Sequence, residues 1–330
     1  MEPGKVPNDL LNKIVIGKIN TFRKEVFMRP GIGEDCAAIE FGEYACVLST
    51  DPITAAGKDA GRLAVHISCN DIASSGVEPL GLMVTILCPV GTTEAELEQL
   101  MDQICETAQQ LNVEIIGGHT EVTSSVNRIV LSTTCIGRSH RNKVISSNGA
   151  KPGDSVIITK SAGLEGTAIL AGDFEDQLSG FMDKQELEYA KSLIKYISVV
   201  PEGVLAGSFG ATSMHDITEG GVMGAAWEIA EASGTGIIIN KDSIPVEPVT
   251  ARICDYFGIN VLRLISSGCM LITCGDGEGL VTLLEKNSIN ATIIGTITAD
   301  TTERLLVSKK EGIAEDIEAP GSDELYKVIK

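Results

Sequence analysis

Four carboxylates stand at the ends of predicted elements in the first half of the sequence. They are Asp35 in GIGEDCAAI, Asp51 in LSTDP, Asp71 in HISCNDIASSG and Glu121 in GGHTEV. Taken singly, Asp35, Asp51 and Glu121 are more simply interpreted as turn residues or solvated charges. Taken together, they would repel one another by about 4 kcal/mol per pair at 4 Å and an effective dielectric near 20, so a cluster needs a cation or protonation. Hard oxygen ligands of this kind suit magnesium shared with phosphate groups.

Asp71 differs from the other three because of its place in a predicted helix over 58–75. At 100° per residue it falls among apolar positions such as Ile67 and nearly opposite a polar stripe that includes Arg62 and His66. Burying an unpartnered carboxylate is costly, so a residue at this position is expected to have a cation or another specific partner.

A pair of glycines, Gly117 and Gly118, follows a short predicted strand over 113–116, and His119 and Thr120 come next. Glycines allow a backbone to approach a ligand closely, although a tight turn explains them as well. His119 could contact a phosphate or a ribose, but a lone histidine is more often a local hydrogen-bond partner.

The segment MHDITEGG, which includes Asp216, runs from a predicted strand into a predicted helix in the second half. Thr218 is a plausible helix N-cap, and the following glycines could offer backbone N–H groups to an anion. SAGLEGT at 161–167 repeats the arrangement. Strand-to-helix punctuation explains either segment, and His215 is treated with the same caution as His119.

Predicted elements alternate throughout and place these segments at their ends. In the first half we predict helices over 9–21, 58–75 and 94–111, and strands over 44–50, 79–88, 113–116 and 128–137. In the second half we predict helices over 164–171, 184–196, 201–208, 220–233, 249–257 and 277–286, and strands over 155–160, 212–217, 236–240, 269–274 and 291–297. The segment NGAKPGD at 148–154 is the best boundary, which predicts domains 1–150 and 151–330. Mixed strands and helices in both halves predict an α/β or α+β fold.

Composition limits the compartment and the partners. The chain has 330 residues and a net charge of −19, which disfavours nucleic acid and anionic lipid. It has no apolar run near the roughly 20 residues that span a bilayer and no N-terminal apolar signal, and its nine cysteines form no C-x-x-C pair. We therefore expect a cytoplasmic protein. Walker and Rossmann glycine motifs are missing, so a nucleotide would be bound by other means and would arrive with a cation.

At these motifs the sequence resembles the aminoimidazole ribonucleotide synthetase-like (PurM-like) ATP-binding superfamily over roughly residues 30 to 300. GIGEDCAAI is similar to the acidic metal loop of thiamine-monophosphate kinases, and LSTDP and NDIASSGVEPLG are similar to the next two ligand segments. GGHTEV stands where relatives have a Gly-Gly-acid-Thr motif, and DITEGGV resembles the opening of the substrate helix. The hydrogenase-maturation carbamoyl dehydratases (HypE-like) are the most similar overall.

The resemblance implies a homodimer in which an N-terminal α/β domain forms a shared sheet or barrel, with ATP between the first domains and a C-terminal α/β domain on the substrate side. It implies phosphorylation of a carbonyl, amide or phosphate oxygen of a small substrate. By position, the implied metal ligands are Asp35, Asp51 and Asp71, with Glu121 as a substitute ligand. The implied nucleotide contacts are Asp35, Asp51, Asn70, Gly117, Gly118, His119 and Thr120. The implied catalytic residues are Asp71, Asp216 and Thr218.

Two departures keep the specific reaction open. His119 replaces an acid of the relatives, and the sequence ends in YKVIK, whereas the carbamoyl dehydratases end in the cysteine that carries the carbamoyl group. The first hypothesis is an ATP-dependent phosphotransferase or synthetase. The alternative is a nucleotide-binding dimer without catalysis that acts as an assembly or regulatory partner, for example with a maturation protein.

Overall fold

The computed structural model describes residues 6–53 and 59–329, which form a mixed α/β protein built on two sheets. The first sheet has the strand order β1-β2-β3-β6-β4-β5. Its neighbours pair antiparallel except β4 and β5, which are parallel. The strands are β1 (Val26–Met28), β2 (Ala37–Phe41), β3 (Tyr44–Ile53), β4 (Pro79–Pro89), β5 (Glu114–Thr123) and β6 (Val130–His140).

Alternation along β3 decides which of its side chains face the helices. Ala45, Val47 and Ser49 are buried at every second position, so the two-residue period places Asp51 on this same face. The helices of this half are α1 (Asn8–Ile14), α2 (Ala60–Ser74) and α3 (Glu94–Gln110). Helix α3 begins with a capping box between Thr93 and Glu96.

The second sheet has the order β13-β12-β9-β11-β7-β10-β8. Its strands are β7 (Ser155–Thr159), β8 (Ser213–Asp216), β9 (Gly236–Asn240), β10 (Met270–Cys274), β11 (Ala291–Thr298), β12 (Arg304–Ser308) and β13 (Ile313–Asp316). The helices are α4 (Leu164–Asp173), α5 (Glu175–Leu178), α6 (Lys184–Ser192), α7 (Val200–Phe209), α8 (Gly221–Ser233), α9 (Pro248–Phe257) and α10 (Gly277–Lys286). Edge strand β8 is fully buried because α2 of the first half packs over it.

The C-terminal end of helix α2 also packs against α7, at a point where both segments carry small residues. A Cβ atom at Gly203 would lie 2.1 Å from the carbonyl oxygen of Ala73, and one at Gly207 would lie 2.7 Å from the Cα atom of Gly76. Only glycine permits this approach. The contact holds the two halves together at the C-terminal end of α2, one turn beyond Asp71.

Most predicted elements are confirmed, with boundaries shifted by a few residues. The structure adds strands β1, β2, β12 and β13 and the short helix α5, which the sequence analysis did not predict. The predicted helix over 9–21 is shorter: α1 ends at Ile14 and a 3₁₀ turn, Ile16–Lys18, follows. His66, assigned to a polar stripe, is buried at 7% exposure.

The strand predicted over 113–116 is longer, because β5 continues through Gly117 and Gly118 to Thr123 in place of the tight turn considered there. Strand β5 pairs along its length with β4 in parallel, with a register shift between Leu82 and Met83. A Cβ atom at Gly118 would lie 1.9 Å from the carbonyl oxygen of Val84, so glycine is what lets the strands pair here.

Across the described ranges, none of the helices combines the length and the apolar character that crossing a bilayer requires.

Candidate functional site

A cavity of about 550 Å³ lies between the two halves and is lined by acidic side chains from both. The carboxylates that line it are Glu34, Asp35, Asp51, Asp71, Glu165, Asp216 and Glu219. Apolar side chains, including Ile67, Ile169 and Ile265, form the walls between them. The cavity therefore combines a concentrated negative charge with hydrophobic surface.

Asp71 and Asp51 form the first-half side of this cluster. Asp71 lies on α2 at 7% exposure, and Asp51 lies on the face of β3 that packs against α2. The hydroxyl of Ser49 donates to Asp71 Oδ2 and lies 3.2 Å from Asp51 Oδ2, so it bridges the pair. Burial raises the pKa of Asp71 well above its usual range, and the charges of Asp216, Asp51 and Asp35 raise it further. A divalent cation would offset this repulsion.

His215 joins the two halves at the end of β8. Its Nδ1 lies 2.9 Å from Asp35 Oδ2, and its Nε2 lies 2.9 Å from Glu228 Oε2 on α8. Burial by itself would lower the pKa of His215, but Asp35, Asp216 and Glu228 together hold the pKa well above its usual value. The side chain thus lies between a carboxylate of the first half, Asp35, and a carboxylate of the second half, Glu228, and the raised pKa favours its charged form.

Asp35, His215 and Asp216 can place one ligand atom each within 4.8 Å of one another, a spacing compatible with a metal ion. A metal on His215 would require the neutral imidazole, which the raised pKa of His215 disfavours. The carboxylates of Asp35, Asp51 and Asp71 are the better donors for magnesium, which prefers oxygen ligands. The donor set and its mutual repulsion therefore fit a hard divalent cation.

Thr218 also lines the cavity, in the turn between β8 and α8. The expectation that the glycines of this turn offer N–H groups to an anion is wrong for Gly220. Its N–H donates to Asp323 Oδ2 at 2.7 Å, and the same carboxylate accepts from the N–H groups of Ile265 and Leu325. The protein's own Asp323 occupies this position.

The cavity brings together Asp35, Asp51, Asp71, Asp216 and Thr218, all of which the sequence analysis named. Asn70 does not line it. The Asn70 Nδ2 donates to the carbonyl of Ile197, and the Val199 N–H donates to Asn70 Oδ1, each at 2.8 Å. In this chain the buried amide of Asn70 therefore hydrogen-bonds the first half to the backbone of the second half.

The segment Gly117–Thr120 and Glu121 also lie away from this cavity, on edge strand β5. Strands β6 and β4 separate β5 from the strand that carries Asp51, a distance of about 14 Å at 4.8 Å per strand. His119 Nε2 lies 3.0 Å from Glu121 Oε2, and their side chains are 64% and 50% exposed. Within one protomer these residues do not share the acidic cavity.

Sequence reasoning missed several residues of the cavity, among them Glu165, Glu219 and Tyr326. Glu165 is 4% exposed in the first turn of α4, and burial raises its pKa to about 7. The Tyr326 hydroxyl donates to Glu219 Oε1 at 2.9 Å. The signal available was Glu165 within SAGLEGT, a segment whose similarity to MHDITEGG was seen but whose acid received no role.

Comparison with known proteins agrees with this architecture. Residues 33–139 match the N-terminal domain of AIR synthase related proteins, and residues 151–308 match the C-terminal domain. A hydrogenase expression/formation protein of Methanocaldococcus jannaschii is 32% identical over 90% of this chain and 89% of its own length. The carbamoyl dehydratase HypE of Rhizobium leguminosarum is 28% identical over 81% of this chain and 78% of its own length.

Two solved structures share the fold. The HypE–HypF complex contains a chain with a TM-score of 0.74 and 25% identity, covering 88% of this chain and 94% of that one. A HypE structure in complex with ATP has a TM-score of 0.69 and 21% identity, covering 90% and 92%. With both domains matched in order and a relative at 32% identity along nearly the whole chain, this protein belongs to the AIR synthase related family.

Proposed function

We propose that this chain is a magnesium-dependent enzyme that uses ATP to phosphorylate an oxygen of a small substrate. The observation that carries the proposal is the convergence of Asp35, Asp51, Asp71 and Asp216 from both halves on one cavity. Such a cluster is costly without a cation, and magnesium is commonly held jointly by carboxylates and phosphates.

The relatives support the nucleotide. A structural neighbour is a HypE in complex with ATP, and a sequence relative is a carbamoyl dehydratase. A hydrogenase expression/formation protein among the relatives, and the HypE–HypF complex among the neighbours, also support a maturation protein as a partner. We propose both properties, ATP binding and a maturation-protein partner, for this chain.

In the proposed reaction, Asp35, Asp51 and Asp71 would hold a divalent cation, which would supply positive charge beside the phosphates of ATP. The acceptor oxygen forms a bond to the γ-phosphorus as the bond to the bridging oxygen breaks, and ADP leaves. Asp216 and Thr218 would face the substrate, where the Thr218 hydroxyl can donate a hydrogen bond to the acceptor oxygen and the Asp216 carboxylate can accept one from a substrate N–H or O–H. The acceptor oxygen is a carbonyl, amide or phosphate oxygen.

We further propose that the active form is a homodimer joined at the first sheet. Leu80, Met83, Ile116 and Val122 on β4 and β5 are 47% to 63% exposed, which is unusual for apolar side chains of this size grouped on adjacent strands. Edge strand β5 also presents unpaired backbone groups to a partner strand. In the dimer, Gly117–Thr120 and Glu121 would belong to a nucleotide site shared between protomers.

A thermal melt with ATP, with and without magnesium, tests the metal bridge. We expect ATP to raise the melting temperature with magnesium present and barely without it. Ligand at 100 times its Kd stabilises by about 2.7 kcal/mol. Equal stabilisation in excess chelator would refute the metal-bridge assignment. ADP release across a metabolite panel then separates the enzyme from the non-catalytic alternative, in which ATP binds but is not consumed.

A further inference from the structure

The second-half wall of the cavity contains a buried carboxylate with an unused oxygen. Glu165 lines the cavity at 4% exposure, and its Oε2 atom has no hydrogen-bond partner. Ser267, also on this wall, lies close enough to moderate the rise in the pKa of Glu165, but burial dominates that rise. An unpaired buried carboxylate oxygen costs free energy that a ligand donor would recover.

Two acids whose charges act on Glu165, Asp323 and Glu219, already accept hydrogen bonds from the protein itself. Asp323 accepts three backbone N–H groups, and Glu219 accepts the hydroxyl of Tyr326. Glu165 therefore differs from them in having an oxygen left for an outside donor.

The surroundings favour a positively charged donor over a neutral one. Glu219 and Asp216 line the same wall and add negative potential to that of Glu165. Ile169, Ile265 and Leu325 offer apolar contact for a hydrocarbon segment. A small cation with an aliphatic body satisfies both features, whereas a bare magnesium ion would make use of the charge and not of the apolar surface.

We propose that this wall binds a substrate carrying a protonated nitrogen, and that Glu165 is the partner of that cationic group. The inference rests on the proposed function, since it names the class of molecule whose oxygen is phosphorylated. The substrate is then an amine or a comparable organic cation with an oxygen acceptor elsewhere in the molecule. Glu165 determines specificity and takes no part in the transfer itself.

A matched set of four-carbon probes tests the proposal: 4-amino-1-butanol, 1,4-butanediol and 4-hydroxybutyrate. All three carry a hydroxyl at one end, and the other end is cationic, neutral or anionic. Binding to the full chain is measured by ligand-observed NMR titration, with and without magnesium and a non-hydrolysable ATP analogue. We expect the amine to bind at least tenfold more tightly than the diol, and the hydroxy acid to bind least.

Glu165→Gln removes the charge and keeps the side-chain size, so we expect the preference for the amine to fall to within twofold. Glu285→Gln, on the exposed face of α10, is the matched control and should keep the full preference. An amine that binds no more tightly than the diol in the wild type overturns the proposal without any variant. A preference that survives Glu165→Gln overturns the role of this residue.

The two proposals fail differently. If magnesium-ATP does not bind the wild type but the amine preference is present without nucleotide, the proposed function fails and the cation site stands. If magnesium-ATP binds but the three probes do not differ, the cation site fails and the proposed function stands.

Discussion

The buried carboxyl of Glu165 should make the stability of the apo protein depend on pH, and Glu165→Gln should remove that dependence. The pKa of Glu165 is raised to about 7 by burial. Because the folded-state pKa lies above the unfolded value, the folded protein retains a proton that the unfolded chain releases. Stability therefore falls as the pH rises from the unfolded pKa through about 7, and the full penalty is present above that value.

A rise of about 2.5 pKa units from the ordinary 4.5 corresponds to about 3 kcal/mol at 1.36 kcal/mol per unit. Between pH 5.5 and 8.0, about 2 kcal/mol of this penalty develops. Spread over a cooperative unit between the second domain and the whole chain, that difference shifts the melting temperature by about 3 to 5 °C. Glutamine has no proton to lose here, so the variant should lack this part of the pH dependence.

The assay is a thermal melt of wild type and Glu165→Gln at both pH values, with chelator present. The comparison uses the change between pH values within each protein, so a packing defect from the glutamine cancels. Glu34, whose pKa burial also raises to about 7, titrates in both proteins and cancels as well. Parallel pH dependence in the two proteins would refute the reasoning, because Glu165 would then titrate normally in the folded state.

Three further predictions follow from the contacts at the interface. Asp71→Asn should weaken magnesium-dependent ATP binding in calorimetric titration with little loss of stability, and Asp71→Leu could raise the stability of the apo protein by relieving carboxylate repulsion. Exposed Asp102→Asn is the control. Unchanged affinity for ATP beside a lowered melting temperature would contradict the metal-ligand prediction for Asp71. Asn70→Ala leaves the Ile197 carbonyl and the Val199 N–H without their partner, so urea unfolding should show a loss of roughly 2 to 4 kcal/mol in the free energy of unfolding. A loss no larger than that of the exposed control Asn127→Ala would contradict this role of the Asn70 amide. Sedimentation should give about twice 34.8 kDa for the wild type and a concentration-dependent shift toward one protomer for Ile116→Lys on β5; a concentration-independent mass of one protomer for the wild type would exclude the homodimer.

The sequence by itself predicted the elements whose periodicity is local. The capping box of α3 and the apolar period of α2 are set within one or two turns, so these helices follow from the sequence. Strands β1 and β2 were missed because each is short and is formed by pairing with a neighbour rather than by a strong pattern of its own. Strand β5 was predicted too short because glycines predict a turn unless a close partner strand such as β4 is known.

The same distinction applies to the site. Residue type, order and spacing pointed to Asp35, Asp51 and Asp71 as a series of acids, and helical phase predicted that Asp71 is buried. Only the tertiary structure decided that Asp35 meets His215, because those residues are 180 positions apart and belong to different domains.

Tertiary structure also decided the roles of residues whose local context is uninformative. Asn70 precedes Asp71 and resembles a ligand residue, but its amide is used by the backbone of another domain. Glu165 looks like an ordinary first-turn acid, yet packing of the second half removes it from water and leaves one oxygen unpaired. Burial and partner choice arise from contacts between distant segments, and for that reason a sequence pattern predicts which groups are present but not which of them remain free to bind.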